Sequence, residues 1–168
     1  MNLRPIDGSE IPLVAEWLSR KENYQWLDFG DGTQILNVVS LKIMLQRDLH
    51  LLRIITSDSE DAPIGLVALS NINRNFRTAV LWYVLGDKRY GGQGYMTRAV
   101  SKFLTIVFGE LGLQAVNAWV VEGNLPSVRI LERNNFRPVG SLRKCHYIDD
   151  QPSNRLLFDL LASEHKEI

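Results

Sequence analysis

The chain contains one cysteine, Cys145, in 168 residues. An internal disulfide is therefore excluded, as expected in a reducing compartment. His146 follows it directly, and neighbouring residues of a strand point to opposite faces, so Cys145 reads as an unreactive strand thiol rather than a nucleophile served by that imidazole. No apolar run approaches the ~18 residues of a membrane span. The opening Met1-Asn2-Leu3-Arg4-Pro5-Ile6-Asp7 lacks the apolar core of a secretory signal, so a cytoplasmic location is expected. Neither charge sign is in excess, with 19 Lys plus Arg against 19 Asp plus Glu. Nucleic acid and anionic membranes are accordingly not expected as partners. No linker, charge block, repeat or low-complexity tract divides the sequence, so residues 1–168 are expected to form a single domain with a full core.

Two common phosphate-binding signatures are missing as well. No Gly-Lys-Ser/Thr is present, which excludes a P-loop. The run Gly92-Gln93-Gly94-Tyr95-Met96-Thr97 ends in Thr97 instead of the third glycine of a dinucleotide fingerprint, and Gly112 stands where a ribose-binding carboxylate belongs. What is present is Arg89-Tyr90-Gly91-Gly92-Gln93-Gly94, between a strand-like run, Ala79 to Leu85, and a helix-like run from Tyr95 to about Glu110. Glycines let backbone amides approach a charged ligand closely, and the following helix start aims unpaired N–H groups and a positive dipole end at the same point. Arg89 adds a cation, which suits a diphosphate. A strand, glycine turn and helix also connect for structural reasons alone, and that reading stays open on the loop by itself.

Further on, Ala115 to Val121 reads as a short apolar strand, and Asn124 reads as the N-cap of a helix with Pro126 in its first turn. That helix ends near Asn135, a residue suited to a left-handed C-terminal cap. A coarse pass along the chain gives β-α-α-β-β-β-α-β-α-β-β. Ile11, Val14, Ala15, Trp17 and Leu18 form the apolar stripe of the first helix, and Ser40 is expected to cap a second at Leu41 to Leu49. Strands are expected at Leu51 to Thr56, Ile64 to Ser70 and Thr78 to Leu85, and two late ones at Phe136 to Tyr147 and Asn154 to Leu161 around the turn Asp149-Asp150-Gln151-Pro152.

The loop pattern Arg-x-x-Gly-x-Gly resembles motif A of the GNAT superfamily of acyl-CoA-dependent N-acetyltransferases. The ordered pattern Asn124-x-x-Ser127, Ile130-Leu131-Glu132, then Asn135-Phe136-x-x-Val139-Gly140, resembles motif B of its Rim-type branch, the ribosomal-protein N-terminal acetyltransferases and their relatives. Both motifs in order are far more specific than either alone. The resemblance implies an α/β (mixed α+β) acyl-CoA N-acyltransferase fold: a mostly antiparallel mixed sheet of about seven strands, about four helices, and a cleft where the fourth and fifth strands splay. It implies acetyl-CoA as cosubstrate, no metal, and direct attack by an amine in a ternary complex. Arg89, Gly91, Gly92, Gln93, Gly94 and Tyr95 would hold the pyrophosphate. A backbone N–H near Val84 or Leu85 would polarise the thioester carbonyl, and Asn124 and Ser127 would face the pantetheine arm.

One departure from the family is visible. The tyrosine acid that many relatives carry seven positions after the motif B asparagine is replaced by Leu131. A thiol with a pKa near 8.5 leaves as thiolate with little proton assistance, so catalysis is not ruled out. Ser127 is the candidate for assisting the thiolate, and Tyr147, from the late strand, is the candidate substitute acid. The fourth strand also lacks the carboxylate that many relatives use as a base. Asp28, Glu122 and His146 are the side-chain candidates, with a water relay as the other reading. Trp26, Asp28, Tyr83 and Glu122 are candidate acceptor-site residues, Trp26 because it lies in a loop-like aromatic segment. The acceptor is expected to be an amine on a protein N-terminus or a small molecule, and the molecule a monomer or homodimer. A non-catalytic acyl-CoA-binding module is the alternative.

Overall fold

The computed structural model describes residues 1–168. The elements run β1 (Leu3–Arg4), α1 (Ile11–Ser19), α2 (Lys21–Tyr24), α3 (Val38–Gln46), β2 (Leu51–Thr56), β3 (Pro63–Asn73), β4 (Thr78–Leu85), α4 (Tyr95–Glu110), β5 (Ala115–Val121), α5 (Leu125–Arg133), β6 (Arg137–Ile148) and β7 (Gln151–Leu161). The seven strands form one mixed sheet in the order β1-β2-β3-β4-β5-β7-β6, antiparallel except for the β4–β5 pair. The expected sheet is present, with five helices, because the short α2 precedes the aromatic segment.

Helices cover both faces, so the central strands carry apolar residues on both sides, and Ile64 to Leu69 of β3 is buried without interruption. On one face α4 contributes Met96, Ala99, Val100, Phe103, Leu104 and Val107, packed on Leu81, Val116, Ala118, Val120 and Phe158. On the other, the five-residue stripe expected for α1 is buried in full, with α3 beside it, against Leu52, Ile54, Leu66, Ala68 and Val84. Burial of apolar surface at roughly 25 cal/mol per Å² makes these two layers the main source of stability. Gly86 marks a close approach that periodicity does not reveal: a Cβ there would fall 2.1 Å from the Trp17 ring. Glycine lets Trp17 seat against the end of β4.

Two boundaries differ from expectation, and a third is placed as expected but capped differently. The cap of α3 is Asn37, whose side chain accepts from the Ser40 amide at 2.8 Å, so the helix starts earlier and Ser40 lies inside its first turn. Asn124 holds the N-cap position of α5 but makes no side-chain capping bond. The late hairpin is tighter than a four-residue turn. Asp149 and Asp150 have φ of 49° and 60°, the signature of a two-residue type I′ turn, and Ile148 pairs with Gln151. Gln151 and Pro152 thus belong to β7. Pro152 is tolerated because β5 pairs only with Arg155 onward, leaving nothing on that side to receive an N–H.

Asn135 does take the left-handed conformation, at φ +66°. The Phe136 amide donates to Leu131 O and the Asn135 amide to Glu132 O, both at 3.0 Å, completing a Schellman C-cap. Leu131 and Phe136 are buried together beneath it.

Candidate active site

Strands β4 and β5 pair only from Thr78 to Val80 against Ala115 to Asn117. Beyond that point nothing bonds them, and Leu81 to Leu85 and Ala118 to Val121 line a cavity of about 960 Å³. Because Tyr83 and Leu85 pack with the α4 core whereas Trp82 and Val84 pack with the α1 core, the cavity has a wall on each side of the sheet. Such an opening places a chain threaded from one face within reach of a group arriving from the other.

The glycine loop forms one end. Gly92 and Gly94 have φ of +72° and +77°, and a Cβ at either would meet nothing within 4 Å, so the space over both is open. Gly94 is the N-cap of α4 and has no side chain to cap it. The amides of Gly92, Gln93, Gly94, Tyr95, Met96 and Thr97 donate to no protein acceptor, and the first helical bond is Arg98 N–H to Gly94 O at 3.1 Å. Unpaired amides at the end of a sixteen-residue helix are a ready site for an anion. Arg89 does not supply the expected cation here. Its guanidinium chelates Asp87, at 2.6 Å from Nη2 to Oδ2 and 3.0 Å from Nε to Oδ1, and its side chain is 86% exposed outside the cavity. That hydrogen bond holds the Asp87 carboxyl below the usual range. Gln93 is also outside the lining, its amide nitrogen donating to Arg89 O at 3.0 Å. The lining cations are Lys88, Arg129, Arg133 and Arg155. Arg129 and Arg133 lie one turn apart on α5 and pair with no carboxylate. Their i, i+4 spacing was available in the sequence as a signal.

Asn124 and Ser127 both line the cavity at the start of α5. The Asn124 backbone N–H donates to Val121 O at 3.0 Å, but its side-chain amide and the Ser127 hydroxyl bond to no protein group, so each is free for a ligand. Tyr83 reaches across from β4, its hydroxyl donating to the Ser127 carbonyl at 3.2 Å. Burial pushes the Tyr83 phenol well above the ordinary tyrosine range. Leu131 is fully buried in the α4 core.

The opposite wall is aromatic. Trp26, Phe29, Trp82 and Trp119 line it, with Phe29 edge-on to Trp82 at 5.2 Å. Asp28 anchors the Trp26–Phe29 segment. One carboxylate oxygen accepts from the Gly30 and Gly32 amides at 2.9 and 3.1 Å, and the other from Arg155 Nη2 at 2.9 Å. Burial alone would raise the Asp28 pKa, but Arg155 and the two amides outweigh it and the net shift is downward. Arg155 also lies over the Trp119 ring at 3.9 Å and donates to His146 Nδ1 at 2.9 Å. Accepting there leaves the His146 proton on Nε2, which donates to Gln25 O at 2.7 Å. Burial lowers the His146 pKa, in keeping with a neutral ring.

Several expected site residues are thus placed elsewhere or otherwise employed. Asp28 is an ion-paired anchor with a depressed pKa, the reverse of what a base at neutral pH requires. His146 is buried with both ring nitrogens engaged and does not line the cavity. Glu122 is outside the lining and accepts from Asn154 Nδ2 at 3.0 Å. Tyr147 is 59% exposed on the edge strand β6, away from the cavity, which corrects the expectation of a late-strand acid. Val84, Leu85, Gly91, Gly92, Gly94, Tyr95, Asn124, Ser127, Trp26, Asp28 and Tyr83 all contribute to the one cavity. Phe29, Trp119, Arg155 and Lys88 join them without having been singled out, since β5, β7 and the α2–α3 segment meet only in the folded molecule. No group of three His, Cys, Asp or Glu is arranged to hold a metal. No helix is long and apolar enough to cross a membrane.

Comparison with known proteins agrees with this geometry. A family model described as an acetyltransferase (GNAT) domain matches residues 1–137. The probable N-acetyltransferase YjcK of Bacillus subtilis (strain 168) is 41% identical over 87 residues, 51% of this chain and 48% of that protein. The putative ribosomal N-acetyltransferase YdaF of the same strain is 30% identical over 100 residues, 60% of this chain and 54% of that one. In these two matches the chain spans about half the length of each relative. Among solved structures, spermidine N-acetyltransferase from Vibrio cholerae in complex with CoA and spermine superposes with a TM-score of 0.86 at 17% identity, covering 97% of this chain and 96% of that one. Ribosomal-protein-S5-alanine acetyltransferase from Vibrio fischeri gives 0.78 at 23%, covering 98% and 94%. At these identities the structural likeness concerns the fold.

Proposed function

The chain belongs to the GNAT family of acetyltransferases, and from that premise we propose that it carries the acetyl group of acetyl-CoA to a primary amine by direct attack in a ternary complex. The whole of residues 1–168 acts as one catalytic domain in this reading. The observation that carries it is the cavity between β4 and β5, with free amides at one end and an aromatic wall at the other. Acetyl-CoA supplies an acyl group activated as a thioester, with a thiolate as leaving group. Of the chain's own residues, the amides from Gly92 to Thr97 would bind the diphosphate, and Arg129 and Arg133 would neutralise further phosphate charge. The Asn124 amide would bind the pantetheine arm. A main-chain N–H at Val84 or Leu85 would receive charge developing on the carbonyl oxygen, and the Ser127 hydroxyl would face the departing sulfur.

The electrostatics of the lining bear on the acceptor. With Arg129 and Arg133 engaged by phosphate, the remaining charged side chains of the lining are Lys88 and Arg155 against Glu22 and Asp28, and Asp28 is already matched by Arg155, so no surplus of carboxylates is left for an acceptor. A polycation such as the spermine bound by the Vibrio cholerae fold relative is poorly served by that balance. The acceptor proposed here carries a single amine. With Asp28, Glu122 and His146 removed as bases, the amine's own acidity matters. An α-amine at about 8 is easier to deprotonate than a lysine amine at about 10.4 by roughly 3.3 kcal/mol at neutral pH. A protein N-terminus or a small molecule with a low-pKa amine is therefore favoured, in line with the similarity to YdaF. The test is thiol release from acetyl-CoA across a panel of N-terminal peptides, lysine-bearing peptides, polyamines and small amines. Release with α-amine acceptors supports the proposal. Binding of acetyl-CoA without release for any amine means an acyl-CoA-binding module, and preference for polyamines overturns the acceptor reading.

A further inference from the structure

We infer that the Tyr83 hydroxyl, ahead of the neighbouring Ser127 hydroxyl, is the main hydrogen-bond donor to the sulfur that leaves during transfer, standing on β4 in place of the tyrosine that Leu131 replaces on α5. The inference rests on the acetyl-CoA reading above. Tyr83 is still paired with Val67 of β3 but lies beyond the last β4 residue that pairs with β5, on the α4 and α5 side of the sheet, where β4 and β5 have separated. Its phenol crosses that gap, so the hydroxyl stands beside the first turn of α5 with the unbonded Asn124 side-chain amide and Ser127 hydroxyl. The single bond it makes, to the Ser127 carbonyl, is 3.2 Å long. An O–H···O bond is usually 2.7–2.8 Å, and the partner is neutral, so an anionic acceptor in the same space would compete well for the proton.

The buried environment sets the manner of its action. A phenol whose pKa is raised by burial keeps its proton at neutral pH and into the alkaline range. Tyr83 therefore donates a hydrogen bond and does not itself ionise. During transfer the amine nitrogen bonds to the carbonyl carbon, the C–S bond breaks with its electron pair going to sulfur, and the ammonium proton passes to water. Charge appears on sulfur in a poorly solvated gap, where one donor is worth more than in water. Leu131, fully buried in the α4 core, has no proton to offer.

The test compares wild type with Tyr83→Phe, which keeps the ring and removes only the hydroxyl, using CoA and desulfo-CoA as ligands. Near pH 9, where a free thiol is largely ionised, wild type should bind CoA on the order of tenfold more tightly than desulfo-CoA, and less selectively at pH 7. Tyr83→Phe should bind the two about equally at both pH values. Its turnover with saturating acetyl-CoA should fall on the order of 10–100-fold, with the Michaelis constant for acetyl-CoA little changed. General damage to the gap would weaken both ligands together, so a Tyr83→Phe protein that keeps its preference for CoA over desulfo-CoA overturns the inference. Equal binding of both ligands by wild type at pH 9 overturns it as well. If wild type binds neither ligand, it is the acetyl-CoA reading itself that fails.

Discussion

At Gly94 two demands meet in one residue: the chain must enter α4 through a left-handed conformation, φ +77°, and the helix start must stay uncovered. No atom lies within 4 Å of the position a Cβ would take, so a side chain there is not opposed by packing. The opposition is conformational, about 1–2 kcal/mol for an L-residue in this region and more when β-branched. The side chain would then occupy the space a phosphate needs. Gly94→Val is expected to remain folded, with a modestly lower melting temperature, and to weaken acetyl-CoA binding by at least about tenfold in calorimetry. Unaltered affinity in the folded variant would show that the diphosphate lies elsewhere. Arg89 illustrates the opposite situation. Its charge is conspicuous in the sequence, yet Asp87 two residues earlier sits on the same turn and takes the guanidinium.

Among the elements, α5 depends on how it ends. Its hydrophobic side is short, so the Schellman cap at Asn135 and the contact of Leu131 with Phe136 hold its last turn against the core. Asn135→Val forces a β-branched residue to φ +66° and should cost about 1–2 kcal/mol in denaturant unfolding. Asn135→Gly, which accepts that conformation freely, should cost much less, even though it loses the side-chain bond to Glu164 O. Equal losses would mean that the side-chain bond, rather than the backbone conformation, is what Asn135 contributes. Because Asn124 and Ser127 stand on the same helix, a frayed C-terminus would also loosen the arm of the site, linking this element's stability to acetyl-CoA affinity.

Across the whole molecule, the Asp28–Arg155–His146 group joins segments that are remote in sequence: the loop after α2, β7 and the edge strand β6. The arrangement requires a neutral His146, because Nδ1 must accept from Arg155. His50 and His165 likewise have pKa values lowered, chiefly by burial. For each histidine the folded pKa lies below the ordinary 6.5, so the unfolded chain binds protons first as pH falls. Stability should hence be full above about pH 6.5, decline below it, and level off once pH has passed the folded values. Urea unfolding between pH 5 and 7.5 should show this decline, and His146→Gln should make it shallower. An equally steep decline in that variant would exclude His146 as a contributor.

Much of this was legible from local pattern. The α1 stripe from Ile11 to Leu18, the strand runs, the glycine loop before α4 and the left-handed Asn135 all follow from periodicity and from conformations few residues accept, which are properties of short segments. The two motifs were enough to point to the family. Asn37 took the cap expected of Ser40 because a hydrogen-bonding side chain three residues earlier extends the helix, a competition the sequence leaves undecided. Which carboxylate is free, which arginine faces the cavity and which tyrosine reaches the gap are questions of distance between segments far apart in the chain. Asp28 meets Arg155 and Tyr83 meets Ser127 only because the sheet order brings β7 beside β5 and the strands part after Val80. A charge or hydroxyl acquires its role from the partner and the dielectric around it, and both are supplied by tertiary packing.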